Sequence, residues 1–325
     1  MTIEQARARA GAALGGAVAC VPMHELADAQ WPEALPPVLV TAELPMREAV
    51  AVYRSVKQQR GRSGLSPLIV TRDGFDKLRL REWLSPDPSP AQQLAAELAA
   101  YELLTSDEFF ARRLARAGED PAPSIEAALD SLGSLTGQDP MAILHRIRLD
   151  DLEALGGGEG DFDPDDLLPD DVEAAHARML VEREALLEMA RRGPNRYLVM
   201  PPRLRPFDEE TTLAELADGP ARLLLSASSP ATALLYVGFG GFNDCPAPHA
   251  HARVWQQWGA AFGAEPVLLE ADTLHAVVAR PPTTRAALVR FAREGALYDR
   301  DALTAGPLPL AGCLYRCAAI DFWWD

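Results

Sequence analysis

The chain has 325 residues, 48% hydrophobic and 24% charged, which is enough apolar material for one large or two smaller folded domains. Its 47 acidic against 31 basic residues leave a net charge of −16, which repels nucleic acid and favours a basic partner where one is selected. Four cysteines (Cys20, Cys245, Cys313, Cys317) are too few for a disulfide scaffold, and no run of about 18 apolar residues occurs, so the expectation is a cytoplasmic protein with reduced thiols and no membrane span.

The N-terminal stretch carries Arg7 and Arg9 before a mildly apolar "AGAALGGAVAC". Glu4 sits in the would-be basic region and the core is mostly Ala and Gly, so a short amphipathic helix is expected there rather than an export signal. "PPVLVTAE" (36–43) then reads as a strand. Pro45 opens a helix with Ala49, Val52, Tyr53 and Val56 at helical spacing, closed by Gly61 and Gly64, and "SPLIVTRD" (66–73) reads as a second strand. Strand, helix, strand at this length predicts a βαβ unit with parallel pairing. From Pro90 to about Leu155 the pattern turns helical, with Leu94, Leu98, Tyr101 and Leu104 on one stripe and Gly118 as a stop. Residues 156–171, "GGGEGDFDPDDLLPDD", form an acidic linker. A calcium loop would need Gly at its sixth position and Glu at its twelfth, which here are Asp166 and Val172. A charged helix (172–192) and strands at 195–202 and 221–228 follow.

The C-terminal section predicts the order β-α-β-β-α-β. Its elements are a strand at 233–239, a helix from about Pro248 with Val254, Trp255, Trp258, Ala261 and Phe262 on one face, and two strands in a hairpin about Asp272-Thr273. A helix with Leu288, Phe291 and Ala292 inward and a last strand "YRCAAIDFWW" complete it. That order predicts a ferredoxin-like plait. The fold class expected is therefore α/β in the α+β sense. An N-terminal α/β unit with a helical insertion (1–155) is joined by the linker (156–171) to a C-terminal ferredoxin-like domain (172–325).

Several strings in this section carry a family resemblance: "YVGFGGFNDCPAP" (236–248), "VWQQWGAAFGAEPVLLEADTLHAVVARPPTTRAALVRFARE" (254–294) and the closing "DFWWD" (321–325). Together they resemble the bacterial family known as domain of unknown function 4253. Its members typically carry a G-G-W-N-x-C-P loop, a W-x-x-x-x-G-A helix end, a D-T-L hairpin, an R-P-P-x-T break and a terminal F-W-W-D. "VYRSVKQQRGRSGLSPLIV" (52–70) is similar to the family's N-terminal segment. Phe242 stands where Trp is usual, and "YDRDALTAG" (298–306) replaces a segment that often holds Cys-Pro-Asp. The resemblance implies no activity.

In a plait, the Gly238–Pro248 loop, the Arg280–Thr283 turn and the start of the last strand, near Cys313 and Cys317, share one end of the sheet. Three chemistries compete for that end. A metal would have to use Cys245, His249 and His251 with Cys313 and Cys317. C-x₃-H-x-H is not a standard ligand spacing and alternate helical residues diverge by about 200°, so no metal and no cofactor are expected. A nucleophile would be Cys245 near a helix N-terminus, with His249 as base and Asn243 and Asp244 as supporting groups. A phosphate loop G-x-G-x-x-G would need glycine at 243, which is Asn. The simplest expectation is a rigid corner in which Asn243 and Asp244 are turn residues. Binding residues are expected at Phe242, Asn243, Asp272, Arg280, Trp323 and Trp324, the two tryptophans on opposite faces of a strand. Function is thus expected to be a non-catalytic protein-binding module, an immunity-type protein that neutralises a basic partner such as a toxin. The alternative is a small-molecule-binding or hydrolytic enzyme using the Gly238–Pro248 loop.

Overall fold

The computed structural model describes residues 1–16, 18–22, 37–76, 90–144, 219–303, 306–315 and 319–324. The helices, in chain order, are α1 (Ile3–Ala13), α2 (Met46–Gln58), α3 (Arg60–Ser63), α4 (Pro90–Leu103), α5 (Ser106–Ala117) and α6 (Pro121–Thr136). After these come α7 (Pro140–Leu144), α8 (Pro230–Val237), α9 (Pro248–Phe262), α10 (Arg285–Tyr298) and α11 (Pro307–Leu314). The strands are β1 (Cys20–Pro22), β2 (Val38–Thr41), β3 (Leu44–Pro45) and β4 (Ser66–Thr71), then β5 (Pro220–Ser226), β6 (Ala264–Leu269), β7 (Thr273–Val278) and β8 (Ala319–Trp323). Among the described residues no helix is long and apolar enough to cross a membrane. The chain divides into two compact units, each assembled from separated stretches: 1–109, 207–279 and 319–325 in the first, 110–206 and 280–318 in the second.

The first unit is organised by one sheet. Among the described residues its strand order is β1-β2-β5-β4-β6-β7-β8, with β3 also paired to β5. Every pairing is antiparallel except that of β4 with β6. The apolar run of β4 has all six residues buried, as a central strand covered on both faces requires. One face packs against α1 and α2. Ala6 and Ala10 of α1 and Ala49, Val50, Tyr53 and Val56 of α2 join Leu39, Ile69, Leu223 and Leu225 in a single core cluster. Thr2 starts α1 through a reciprocal capping box with Gln5, whose side chain returns a bond to the Thr2 amide. Helix α8 packs on β4 and β6, and α9 on β6 and α8. At the β8 end, Trp255 and Trp258 of α9 meet Phe322 at ring separations of 6.1 and 5.6 Å. Burying two indoles contributes on the order of 4–6 kcal/mol each by area.

The second unit is helical among its described residues. Asp120 caps α6, Pro121 fills the first helical position, and Gly137 ends the helix in the left-handed region. Helix α10 packs against α6 and α11 with Leu288, Phe291 and Ala292 buried. Arg293 to Asp120 and Arg285 to Asp130, both at 2.7 Å, tie α10 to α6.

The α+β class and the β6–β7 hairpin match expectation; several details differ. Residues 233–239 are not a strand: Pro230–Val237 is α8, because Ser229 accepts the Thr232 amide and Pro230 takes the first helical position. The strand order is not that of a self-contained plait, since β4 from the N-terminal half lies between β5 and β6. The expected parallel pair β2 and β4 is parallel in direction, but β5 runs antiparallel between them. Helix α10 belongs to the second unit. Of the expected last strand (315–324), Ala319–Trp323 is β8 among the described residues, and Cys313, expected near its start, lies on helix α11 (Pro307–Leu314). The expected linker at 156–171, the helix at 172–192 and the strand at 195–202 lie outside the described residues.

Candidate functional site

The Gly238–Ala247 segment connects α8 to α9 and is held by its own backbone. Gly238 closes α8 in the left-handed region, and the Phe239 amide returns to the Leu234 carbonyl. The Cys245 amide donates to Phe242 O at 2.8 Å, closing a turn in which Asn243 adopts φ +46°, a conformation that asparagine tolerates. Gly241 donates to Pro246 O at 2.7 Å. Asn243 is exposed, while Phe242 and Asp244 are half-buried. Phe242 meets Phe239 edge-on at 5.9 Å.

At the base of this loop Cys245 Sγ lies 3.3 Å from His251 Nε2. Both are buried, at 5% and 0% exposure. The imidazole is enclosed by Phe239 at 5.2 Å and Trp324 at 5.4 Å between ring centres. Gly240 completes the enclosure: at φ +107°, a Cβ there would sit 2.5 Å from the His251 ring. The imidazole paired with Cys245 is therefore His251, and His249, the expected base, is engaged elsewhere. Its Nδ1 lies 2.7 Å from Glu97 Oε2, and its amide donates to the same oxygen at 3.0 Å. A carboxylate thus occupies the positive end of α9, where a thiolate was expected to gain. The distinguishing signal was present in the sequence. His251 precedes Val254, Trp255 and Trp258 by three, four and seven residues, so it shares their buried stripe, whereas His249 does not.

The other expected residues are dispersed. Asp272 lies in the β6–β7 turn, where its carbonyl accepts the Trp324 amide at 3.1 Å and its Oδ1 the Thr273 hydroxyl at 3.0 Å. Arg280 is exposed in the second unit. Cys313 is exposed on α11, and Cys317 lies outside the described residues. Among the described residues no group of three or more His, Cys, Asp or Glu is placed to hold a metal ion. Burial pushes the Cys20 thiol up, which leaves it a poorer nucleophile than a free thiol.

At the end of the sheet, β8 alternates as its sequence predicts. Ile320, Phe322 and Trp324 are buried, and Asp321 and Trp323 are exposed. Trp323 is 47% exposed and Trp324 2%. On β7, Thr273 stands opposite Trp323 and His275 opposite Asp321. His275 Nε2 lies 3.1 Å from Glu270 Oε1. Asp321 and Trp323, two residues apart on one strand face, lie about 7 Å from each other.

The stretch that holds both the loop and β8, residues 222–325, matches the family model described as Domain of unknown function (DUF4253). No curated protein and no solved structure matches the chain. The matched segment begins within β5 and ends beyond β8, and so carries the Cys245–His251 pair, His249 and the exposed Trp323.

Proposed function

We propose that this chain is a cytoplasmic protein-binding module whose partner presents a basic surface, in the manner of an immunity-type protein that neutralises a toxin. The observation that carries the reading is the exposure of Trp323 beside Asp321 on the outer face of β8. An indole face next to a carboxylate suits a partner lysine or arginine, which gains a cation–π contact and an ion pair in one place. Exposed tryptophan is also the residue type most enriched at binding hot spots. The net charge of −16 adds long-range attraction for such a partner. Capture on the full chain, followed by titration of the purified partner, tests this. Trp323→Ala and Asp321→Lys are each expected to weaken binding by about tenfold or more, and added salt should weaken it further. Equal affinity for the wild type and both variants would remove the proposal.

The Cys245–His251 pair at 3.3 Å favours a second reading, thiol chemistry with Cys245 as nucleophile and His251 as base. This requires the enclosed thiol to become accessible. Iodoacetamide labelling of the folded protein at pH 7 separates the readings. Labelling of Cys245 that is lost in His251→Ala supports the thiol enzyme; a Cys245 that labels only after unfolding rules it out.

A further inference from the structure

The second unit holds a pocket of about 280 Å³ where the last turns of α5 and α10 meet the first turn of α6. Three guanidinium groups line it: Arg113 and Arg116 from α5, which share a helix face, and Arg300, just beyond α10. In a chain of net charge −16 this is a local reversal of sign. Two acids also reach the pocket, Glu119 and Asp120. Asp120 is committed elsewhere, since its Oδ1 accepts Arg293 Nε at 2.7 Å and the Ala122 amide at 3.0 Å. The Arg293 bond holds that carboxyl below the usual carboxylate range.

A structural role accounts for part of the arrangement. Arg113 donates to the Tyr298 carbonyl at 3.0 Å and so caps the end of α10. Arg116 in the last turn of α5 complements that helix's dipole. Neither role calls for a cavity. Apart from Ser124 the remaining wall is apolar, formed in part by Pro121, Leu297 and Leu303.

We propose that this pocket binds a small organic phosphate monoester. Guanidinium forks match phosphate oxygens two at a time, and three of them at one site suit a dianionic group better than a single carboxylate. The apolar wall takes the organic body of the ligand. The volume stands at the low end of ligand pockets, about 300–1,000 Å³, which limits the body to the size of a sugar phosphate or a mononucleotide.

Calorimetric titration of the full chain with inorganic phosphate, glycerol 3-phosphate and adenosine monophosphate, each organic probe paired with its unphosphorylated counterpart, tests the proposal. At least one phosphorylated probe should bind saturably, and its counterpart at least about tenfold more weakly. Arg116 and Arg300 are exposed, so the double variant Arg116→Glu/Arg300→Glu should keep the fold, checked by circular dichroism. It should also lose at least about tenfold in affinity for the bound probe. The proposal is overturned if no probe binds below about 5 mM. Binding left unchanged by the double variant, or shared equally by the unphosphorylated counterparts, also overturns it.

Discussion

Replacing Gly240 with alanine places a methyl carbon where the loop between α8 and α9 has no room. The backbone there has φ +107°, and the added carbon would lie 2.1 Å from Pro246 O and 2.5 Å from two atoms of the His251 ring. The backbone conformation alone costs an L-residue about 1–2 kcal/mol. The carbonyl is the harder obstacle, because it is backbone and already accepts the Gly241 amide at 2.7 Å. Relieving the overlap means moving that carbonyl by about 1 Å and weakening its hydrogen bond, a further 1–2 kcal/mol or so. The total expected loss is about 2–4 kcal/mol, in the range of strained or overpacked sites. Urea unfolding followed by tryptophan fluorescence measures it. The midpoint should fall with the slope unchanged, and Cys245 should become easier to alkylate as His251 is displaced. A Gly240→Ala protein within about 0.5 kcal/mol of wild type would refute the view of this loop as a rigid, close-packed corner.

Other outcomes follow from the same geometry. Trp324→Ala should cost about 3–5 kcal/mol in chemical denaturation, while Trp323→Ala, one residue away on the exposed face, should stay within about 0.5–1 kcal/mol. Cys245→Ala removes the sulfur bonded to a fully buried imidazole and is expected to lower stability by about 1–3 kcal/mol by the same assay. Arg293→Ala should weaken the protein by less than about 1 kcal/mol at neutral pH, because the Asp120 carboxylate it pairs with is partly solvated. The sign of its pH dependence is fixed: Arg293 lowers the Asp120 pKa, so the contribution is complete above the ordinary value of 3.8 and lost as pH falls below it. Unfolding curves for wild type and Arg293→Ala should therefore converge as the pH falls below the ordinary carboxylate range.

The local elements of this fold were largely legible where the chain carries short β-branched runs or a clean helical stripe. Strands β2 and β4 and helices α2 and α9 fall close to the places their residues announce. The run Ala233–Phe239 was misread because a short apolar stretch has no period that separates a buried strand from a buried helix. The deciding signal lay upstream, in Ser229-Pro230, a cap followed by a residue suited to the first turn. Partner choice was less accessible. Nothing local to β4 says that its two neighbours are Leu223-type residues of β5 and the Leu268–Leu269 end of β6, some 150 to 200 residues on. At the site, the sequence supplied the right cysteine and the wrong histidine. Counting the helical stripe back from Trp255 and Trp258 would have chosen His251.

The central position of β4 also separates two things that are easily equated, a stretch recognisable by descent and a piece able to fold. A fragment cut at residue 222 would keep β5 and β6 but lose the rung between them. The slot left behind, spanning two strand spacings of roughly 4.8 Å, would bring apolar side chains and unpaired amides into water. Foreign strands would compete to fill it, so such a fragment should aggregate. In the intact chain the same rung joins segments far apart in sequence: residues 72–219 separate β4 from β5, and the entropy of closing a loop of that length opposes their pairing.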